Sequence, residues 1–353
     1  YGTSYDIAGT NGGRQLPSGF KRDQLGNNDI KWETTYQTNL GLDFSMFNSS
    51  LYGSFDWYYK KTKDILVQMA GIAAMGEGST QWINAGAMEN RGVELNLGYR
   101  KTTNGGFHYD IAGNFSTYRN KITALPATVA ANGTFGGNGV KSVIGHPMGA
   151  QVGYVADGIF KSQDEIDNHA KQDGAKLGRI RWKDLDGNNV ITEADQDWIY
   201  NPTPDFSYGL NVYLEYKNFD FTMFWQGVQG VDIISDLKKQ TDIWAGLNIG
   251  FLNKGQRLLD AWSSTNPNSN IPALSLSDNN NEKRVSTYWV ENGSYLKLRT
   301  IQLGYNLPKS MTNRLAMQRL RFYLSAQNLL TIHSKSFTGV DPENPNYGYP
   351  IPL

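Results

Sequence analysis

The chain has 353 residues, enough for one large domain or two small ones, and its 33 basic residues balance 33 acidic ones. This balance provides no electrostatic attraction to nucleic acid, so we expect no nucleic-acid partner. The chain has no cysteine, which excludes disulfides, thiolate metal ligands and a cysteine nucleophile, and no run of about 18 apolar residues that could form a transmembrane helix.

Eight stretches alternate apolar and polar residues, a period of two that predicts β-strands with one apolar and one polar face. In the first stretch, for example, Leu40 lies on one face and Asn39 and Asp43 on the other. The alternation is less regular in the seventh stretch, where Lys297 and Arg299 predict a β-bulge or a strand end. The eight stretches cover about residues 31–46, 51–60, 93–100, 107–116, 206–217, 219–226, 295–307 and 319–327.

The connections between these stretches are alternately very short and very long. The short ones are 48–50, a Gly-rich turn within 99–107, and 217–218; the long ones run over about 69–90, 118–206 and 228–295. Aromatic residues crowd the short-turn ends: Phe44, Phe47, Tyr52, Tyr99, Phe107, Tyr109, Tyr216, Phe219 and Tyr305. Short turns on one side, long loops on the other and an aromatic girdle are typical of outer-membrane β-barrels, whose short turns are periplasmic.

We therefore predict an all-β fold, an antiparallel transmembrane β-barrel whose apolar faces contact lipid and whose polar faces line a hydrated lumen. A soluble β-sandwich also alternates, but these strands have roughly 10 residues or more, as a tilted membrane-spanning strand requires. Eight strands could close a small barrel by themselves. Because Tyr1 is not a start residue and the chain ends in a Pro-rich segment, one wall of a larger barrel is the favoured interpretation.

A series of motifs runs through most of the chain in a fixed order. It comprises residues 32–43 (WETTYQTNLGLD), 56–66 (DWYYKKTKDIL), 84–95 (NAGAMENRGVEL), 157–160 (DGIF), 184–187 (DLDG), 201–206 (NPTPDF), 294–299 (SYLKLR), 303–308 (LGYNLP), 325–329 (SAQNL) and 338–343 (TGVDPE). Together these motifs resemble the barrel of the SusC-like TonB-dependent transporters of Bacteroidetes. So many motifs in one order make the resemblance specific.

The resemblance implies a barrel of about 22 strands in the outer membrane, with a plug domain and with import of a large nutrient driven by the TonB system. It also implies a SusD-like surface lipoprotein that covers the barrel as a lid. On this basis residues 1–353 are the C-terminal part of the barrel, and the plug domain and the final strand lie outside the chain. The nutrient implied first is a glycan or oligosaccharide, with oligopeptides as the alternative.

Residues 184–195 carry oxygen-bearing groups at the spacing of a calcium-binding loop. The candidate ligands, at loop positions 1, 3, 5, 7, 9 and 12, are Asp184, Asp186, Asn188, Val190 through its carbonyl, Thr192 and Asp195. Two positions depart from the pattern, with Asn189 in place of glycine and Asp195 in place of glutamate. We expect Ca²⁺ or a similar cation that braces an external loop; the alternative is an Asx-rich turn stabilised by its own side chains.

Five tryptophans fall in the long connections and are candidates for ligand binding, because the family resemblance suggests a glycan site where aromatic faces stack on sugar rings. They are Trp182, Trp198, Trp244, Trp262 and Trp289. For any one of them, packing between loops or against a lid protein is the favoured alternative. The four histidines are scattered and no G-x-S-x-G element is present, so we expect neither a zinc site nor an enzyme.

Three functions compete on this evidence. The favoured one is the wall of a transporter barrel, in which no covalent chemistry takes place. An enzyme in an outer-membrane barrel would need an acid–base or nucleophile constellation at the barrel rim, and the sequence offers none that stands out. A soluble, secreted β protein that binds carbohydrate with a calcium-braced loop would have no lipid-facing apolar band.

Overall fold

The computed structural model describes residues 2–3, 19–20, 25–69, 80–130, 135, 137–138, 141–242, 255–275 and 280–345. The strands of this described part are, in chain order, β1 (Gly2–Thr3), β2 (Gly19–Phe20), β3 (Thr34–Met46), β4 (Leu51–Met69), β5 (Gln81–Thr102), β6 (Phe107–Ala124), β7 (Gln151–Tyr154), β8 (Ala156–Ile159), β9 (Ile180–Trp182), β10 (Gln196–Tyr200), β11 (Phe206–Tyr216), β12 (Phe219–Gln229), β13 (Asp232–Ile234), β14 (Val290–Asn292), β15 (Tyr295–Asn306) and β16 (Arg321–His333). Short α-helices lie between them: α1 (Ala127–Ala130), α2 (Gln163–Asp167), α3 (Asp236–Asp242) and α4 (Lys309–Thr312). Single 3₁₀ turns cover Glu193–Asp195, Gln256–Asp260, Thr287–Trp289 and Asn313–Leu315.

Eight of these strands form one antiparallel sheet, in the order β3-β4-β5-β6-β11-β12-β15-β16. Each strand therefore pairs with the sheet strands that precede and follow it along the chain. The sheet does not close on itself, because β3 and β16 are its two edges in the described part. The predicted antiparallel sheet of eight strands is confirmed.

Apolar side chains form continuous rows on one face of the sheet. The register pairs Leu42 with Phe55, Phe55 with Leu95, and Leu95 with Phe115, so a single row crosses four strands. These side chains are not covered by a second layer: Leu42 is 61 % exposed and Leu324 of β16 is 78 % exposed. A sandwich would bury such rows, whereas a lipid-facing barrel wall requires them at the surface.

The opposite face of the sheet carries polar side chains. Asn96 lies between Ser54 and Asn114 on the neighbouring strands, and the hydroxyl of Tyr52 donates to Asp110 at 2.6 Å. Hydroxyls, carboxamides and carboxylates suit contact with water, which satisfies their remaining hydrogen bonds. This face is therefore the lumen side of the wall.

Aromatic rings contact one another in two groups near the short-turn ends, as expected of an interfacial girdle. Phe107 contacts Tyr109 and Tyr216 with ring centroids 5.9 and 6.3 Å apart, and Phe219 contacts Tyr305 at 4.7 Å. The exception in the sequence-based list is Tyr52. Its ring points to the lumen side, where it contacts the Arg100 guanidinium, so its assignment to the girdle was wrong.

The strands on the long-loop side extend further than the alternation predicts. The second half of the connection placed at about 69–90 is strand, because β5 begins at Gln81 and pairs with β4 as far as Met69. β5 has 22 residues, whereas a tilted strand crosses the hydrocarbon layer in about 9–11. Beyond the lipid both faces meet water or loops, so backbone pairing continues after the apolar alternation ends.

A β-bulge interrupts β15, as predicted at Lys297 and Arg299. Its register with β16 shifts between Leu298 and Thr300, and its register with β12 shifts at the same level. The extra residue changes which side chains face the lumen side. As a result Lys297 is buried against the segment that follows β16, at 1 % side-chain exposure.

Most of the buried apolar residues lie in the long loops and not in the sheet. A cluster of Ile159, Ile180 and Trp182 joins the β8–β9 hairpin to Tyr154 and Trp262. None of the helices in the described residues is long and apolar enough to cross a membrane. The long loops therefore form a packed unit on the sheet, and this unit positions the candidate sites.

Candidate cation loop and ligand cavity

A buried polar network holds the two longest loops together. Glu282 accepts from the Arg179 guanidinium at 2.7 Å and from the backbone N–H of Ile180 at 2.8 Å. Gln172 donates to Asn280 and to the carbonyl of Ile180. Because these polar groups have partners inside the loops, the loops bury them without leaving charges unpaired.

Residues 184–195, here called the cation loop, bring their three aspartates together. Ligand oxygens of Asp184, Asp186 and Asp195 lie within 4.8 Å of one another. Asp195 is fully buried, and its carboxylate accepts from the backbone N–H groups of Leu185 at 2.8 Å and Thr192 at 2.6 Å. The sequence-predicted positions 1, 3 and 12 therefore converge on one point.

The two departures from the calcium pattern are both accommodated. Asn189 adopts the left-handed conformation, with φ of 62°, that glycine has at this position of the pattern. Asp195 follows Thr192 in a 3₁₀ turn, where the two form a reciprocal capping box. The shorter carboxylate of Asp195 is thus fixed close to the loop backbone.

The remaining predicted ligands also take part in internal turns. The Asn188 carboxamide oxygen accepts from the N–H of Val190 at 2.8 Å, and the Thr192 hydroxyl from the N–H of Ala194 at 3.2 Å. Burial raises the pKa of Asp184, but the backbone N–H groups of Asn189 and Gly187 outweigh it and hold that pKa below its usual range. The Asx-turn alternative is therefore present in the structure, and oxygen ligands suit a hard cation equally well.

The candidate tryptophans differ in how far their rings are buried. Trp182 and Trp289 are 0 % and 2 % exposed, so neither ring offers a face to a ligand, and the packing interpretation applies to both. Trp262 is half-buried against the Trp182 cluster. Trp198 is half-buried and stacks on the His146 ring at a centroid distance of 3.8 Å. Trp244 lies outside the described residues.

A cavity of about 730 Å³ opens beside the cation loop. Its floor is the two-stranded sheet of β7 and β10, and its sides come from two loop segments. The residues that line it, here called the loop cavity, are Phe135, Gly137, Asn138, Met148, Gly149, Gln151, Val152, Tyr154, Glu193, Gln196, Asn281, Arg284 and Val285. Glu193 belongs to the 3₁₀ turn that ends the cation loop, so the loop and the cavity share an element.

Among the described residues that line the loop cavity, Arg284 is the one that carries a positive charge. Its guanidinium lies over the rings of Tyr154 and Trp182, with its central carbon 4.4 and 5.2 Å from their centroids. Its Nε donates to the carbonyl of Asn281 at 2.9 Å, and the Trp289 indole donates to its own carbonyl at 3.0 Å. Sequence analysis missed Arg284, because its aromatic partners are 130 and 102 residues away.

A second charged cluster lies where β15 meets the segment after β16. Lys297 donates to both carboxylate oxygens of Asp341 and to Glu343, and Arg299 also pairs with Glu343. Thr338 of the same segment donates through its N–H and its hydroxyl to Glu291. In the sequence, residues 338–343 stood out only as part of the family resemblance. The structure shows that they pair with charged residues of β14 and β15.

Comparison with known proteins places these features in a family. The sequence pattern described as "TonB dependent receptor-like, beta-barrel" matches residues 1–329. TonB-dependent receptor P3 of Formosa agariphila is 35 % identical over 338 residues, covering 94 % of this chain and 32 % of that protein. TonB-dependent receptor SusC of Bacteroides thetaiotaomicron is 29 % identical over 329 residues, covering 90 % of this chain and 30 % of SusC.

A solved structure agrees with the sequence relatives. A chain of the RagAB peptide transporter superposes with a TM-score of 0.74 at 27 % identity, covering 93 % of this chain and 34 % of that one. The chain therefore spans about a third of the length of the proteins it matches.

Proposed function

The chain belongs to the TonB-dependent receptor-like β-barrel family, and we propose that it supplies part of the wall and of the external loops of a SusC-type importer in the outer membrane. The observation that carries this proposal is the exposed apolar face of the eight-stranded sheet, opposite a polar face that carries Asn96 and Asp110. Open edges at β3 and β16 fit a wall that continues into further strands, because lipid cannot satisfy unpaired backbone groups.

The proposed activity is passage of a large nutrient through the lumen, driven by the TonB system and assisted by a SusD-like lipoprotein over the loops. The long-loop side, with its packed unit and its cavity, is where a ligand arriving from outside first meets the protein. Oligosaccharide was the expected nutrient and oligopeptide the alternative. A solved relative is named for peptide transport, whereas the name of the SusC relative specifies no nutrient.

We further assign Ca²⁺, or a cation of similar size and charge, to the cation loop as a structural brace. Support comes from the convergence of Asp184, Asp186 and Asp195 and from the left-handed Asn189. A bound cation would offset the repulsion between the three carboxylates. It would thereby hold the 3₁₀ turn that carries Glu193 into the loop cavity.

Membrane fractionation and uptake test the transporter proposal. The full protein is expected to sediment with outer membranes and to change its gel mobility on heating in detergent, as closed barrels do when they unfold. Deleting the protein should abolish growth on the nutrient it imports, and removing TonB should have the same effect. A protein that stays in solution after membranes are pelleted would support the secreted binding protein instead.

A further inference from the structure

Arg284 presents a fixed positive charge to the loop cavity. Its backbone carbonyl is held by the Trp289 indole, and the backbone N–H of Tyr154 donates to the neighbouring Val285 carbonyl at 2.9 Å. Its guanidinium is stacked on Tyr154 and Trp182, so both the main chain and the charged group are positioned before any ligand binds. Such preorganisation lowers the entropy cost of binding.

The end of this guanidinium is available to a ligand. In the described part of the chain the hydrogen bond of the Arg284 side chain is the one from Nε to Asn281, and no carboxylate lies within 4.0 Å of it. Glu193, the acidic residue of the cavity lining, forms no ion pair with it. A guanidinium with free terminal N–H groups is suited to bidentate recognition of a carboxylate.

The rest of the lining indicates which kind of molecule carries that carboxylate. Four carboxamides line the cavity, and a carboxamide carries both donor and acceptor groups, as a peptide backbone requires: Asn138, Gln151, Gln196 and Asn281. Asn138 donates to Gln196 at 2.7 Å and accepts from the Lys141 N–H, so Gln151 and Asn281 are the ones we expect to bind peptide groups. Apolar groups from Met148, Val152 and Val285 complete the lining and can contact aliphatic side chains.

Two aromatic residues of the described lining could favour a sugar, the half-buried Phe135 and Tyr154. Stacking on a sugar needs an open aromatic face, but one face of Tyr154 is covered by Arg284. The rings of Trp182 and Trp289 are buried. Of the two nutrient classes left open by the family, the cavity therefore fits a peptide better.

We infer that the loop cavity is a binding subsite for a short peptide, which it holds by pairing the peptide's terminal carboxylate with Arg284. The carboxamides of Gln151 and Asn281 bind the adjoining peptide groups, and Glu193 supplies an acceptor for a ligand ammonium or N–H group. This inference rests on the proposed function, since it names the substrate class of the importer.

The test is a titration of the full protein, purified in detergent, with four probes. These are trialanine, trialanine with an amidated C-terminus, a uronic-acid trisaccharide and a neutral trisaccharide. We expect trialanine to bind and its amide to bind about tenfold or more weakly, the change that loss of a charge-assisted pair produces. The comparison of acid with amide needs no variant, so it does not depend on the folding of a mutant.

Variants then test whether Arg284 is responsible for the preference for the free carboxylate. Arg284→Gln should remove the difference between acid and amide, and Arg284→Lys should restore part of it. The matched control is Arg181→Gln, since Arg181 is a loop arginine that pairs with Asp157 and Glu165 and does not line the cavity. That variant should keep the full preference for the acid.

Several results would overturn the inference. Equal affinity for acid and amide would do so, as would no peptide binding at all, or binding of the uronic-acid probe that is tighter than that of trialanine and depends on Arg284. The proposed importer has a separate readout, because uptake that depends on TonB but is unchanged in Arg284→Gln would preserve the transporter and remove the subsite.

Discussion

Lys297 of β15 places its ammonium 2.7 Å from both carboxylate oxygens of Asp341, 44 residues later in the chain. The lysine side chain is 1 % exposed, so the contact is an almost fully desolvated ion pair. It forms at the bulge of β15, where the changed register presents the lysine to the segment after β16. The barrel wall and that segment therefore stabilise each other.

Replacing Lys297 by methionine should release residues 337–345. Met fills a similar volume but leaves Asp341 without its cation, and breaking a buried pair in this way costs about 3–5 kcal/mol. Hydrogen exchange of the segment should accelerate accordingly. Lys335→Met is the matched control, because Lys335 is exposed and lies two residues before that segment. Unchanged exchange in Lys297→Met would show that the pair does not hold the segment.

Acid should release the same segment in the wild type. Burial raises the pKa of Glu343, but hydrogen bonds from Arg299 and Lys297 outweigh it and keep that pKa below its usual value. A lowered folded pKa means that the stabilisation is complete above the unfolded value of about 4.3 and is lost as pH falls through the folded value.

A spin label at Ser336→Cys measures this release. Its mobility should stay constant from about pH 8 to pH 5 and rise below about pH 4. In a Glu343→Gln background the label should be more mobile at neutral pH and less dependent on acid. Label mobility that increases as pH rises instead would contradict the assigned sign.

Trp182→Ala should destabilise the loop unit. The ring is 0 % exposed within the cluster of Ile159 and Ile180, and removing a buried aromatic side chain costs about 3–5 kcal/mol. Thermal unfolding followed by near-ultraviolet circular dichroism should show the loss, and Trp198→Ala, at a half-buried site, should show a smaller one. If Trp182→Ala leaves the unfolding temperature unchanged but abolishes saccharide binding, the packing interpretation is wrong and Trp182 is a ligand contact.

Asp186→Asn should abolish Ca²⁺ binding while leaving the turn intact. The amide oxygen can still accept the hydrogen bond from the Asn188 backbone N–H, which belongs to the turn. The charge and the second hydrogen bond, from the Asn188 side-chain amide, are lost. In the wild type, Ca²⁺ should protect the chain near Trp182 from protease, and in Asp186→Asn it should not. Asp173→Asn, at an exposed aspartate in the same loop, is the control for net charge. If Ca²⁺ does not change the rate at which protease cleaves the wild type, the cation proposal is wrong and the Asx-turn interpretation applies.

Alternation in the sequence was sufficient to predict the sheet because lipid contact imposes a period of two on every spanning strand. The row from Leu42 to Phe115 shows the result, because apolar residues that alternate along each strand lie side by side across four strands. The same reasoning failed beyond the bilayer, where β5 continues to Gln81 through backbone pairing that carries no side-chain period.

The candidate sites were only partly predictable for a related reason. The cation loop is local, so its spacing could be read from residues 184–195 directly. Arg284 and Lys297 act through partners brought close by loop packing. The irregular alternation at Lys297 predicted a bulge but not its ion pair, and Arg284 has no signal in its own neighbourhood. Trp182 looked like the other loop tryptophans in sequence, and only packing shows that it is buried.

Adjacent single cysteines on β5 test most directly whether the apolar face contacts lipid. This chain has no cysteine, so Leu97→Cys and Asn96→Cys can each carry a fluorophore as the chain's one labelled site, on opposite faces of the sheet. In bilayers with brominated lipid, the label at position 97 should be strongly quenched and the label at position 96 should respond instead to a water-soluble quencher. Equal quenching of the two labels by lipid, or the reverse order, would contradict a barrel wall with this orientation.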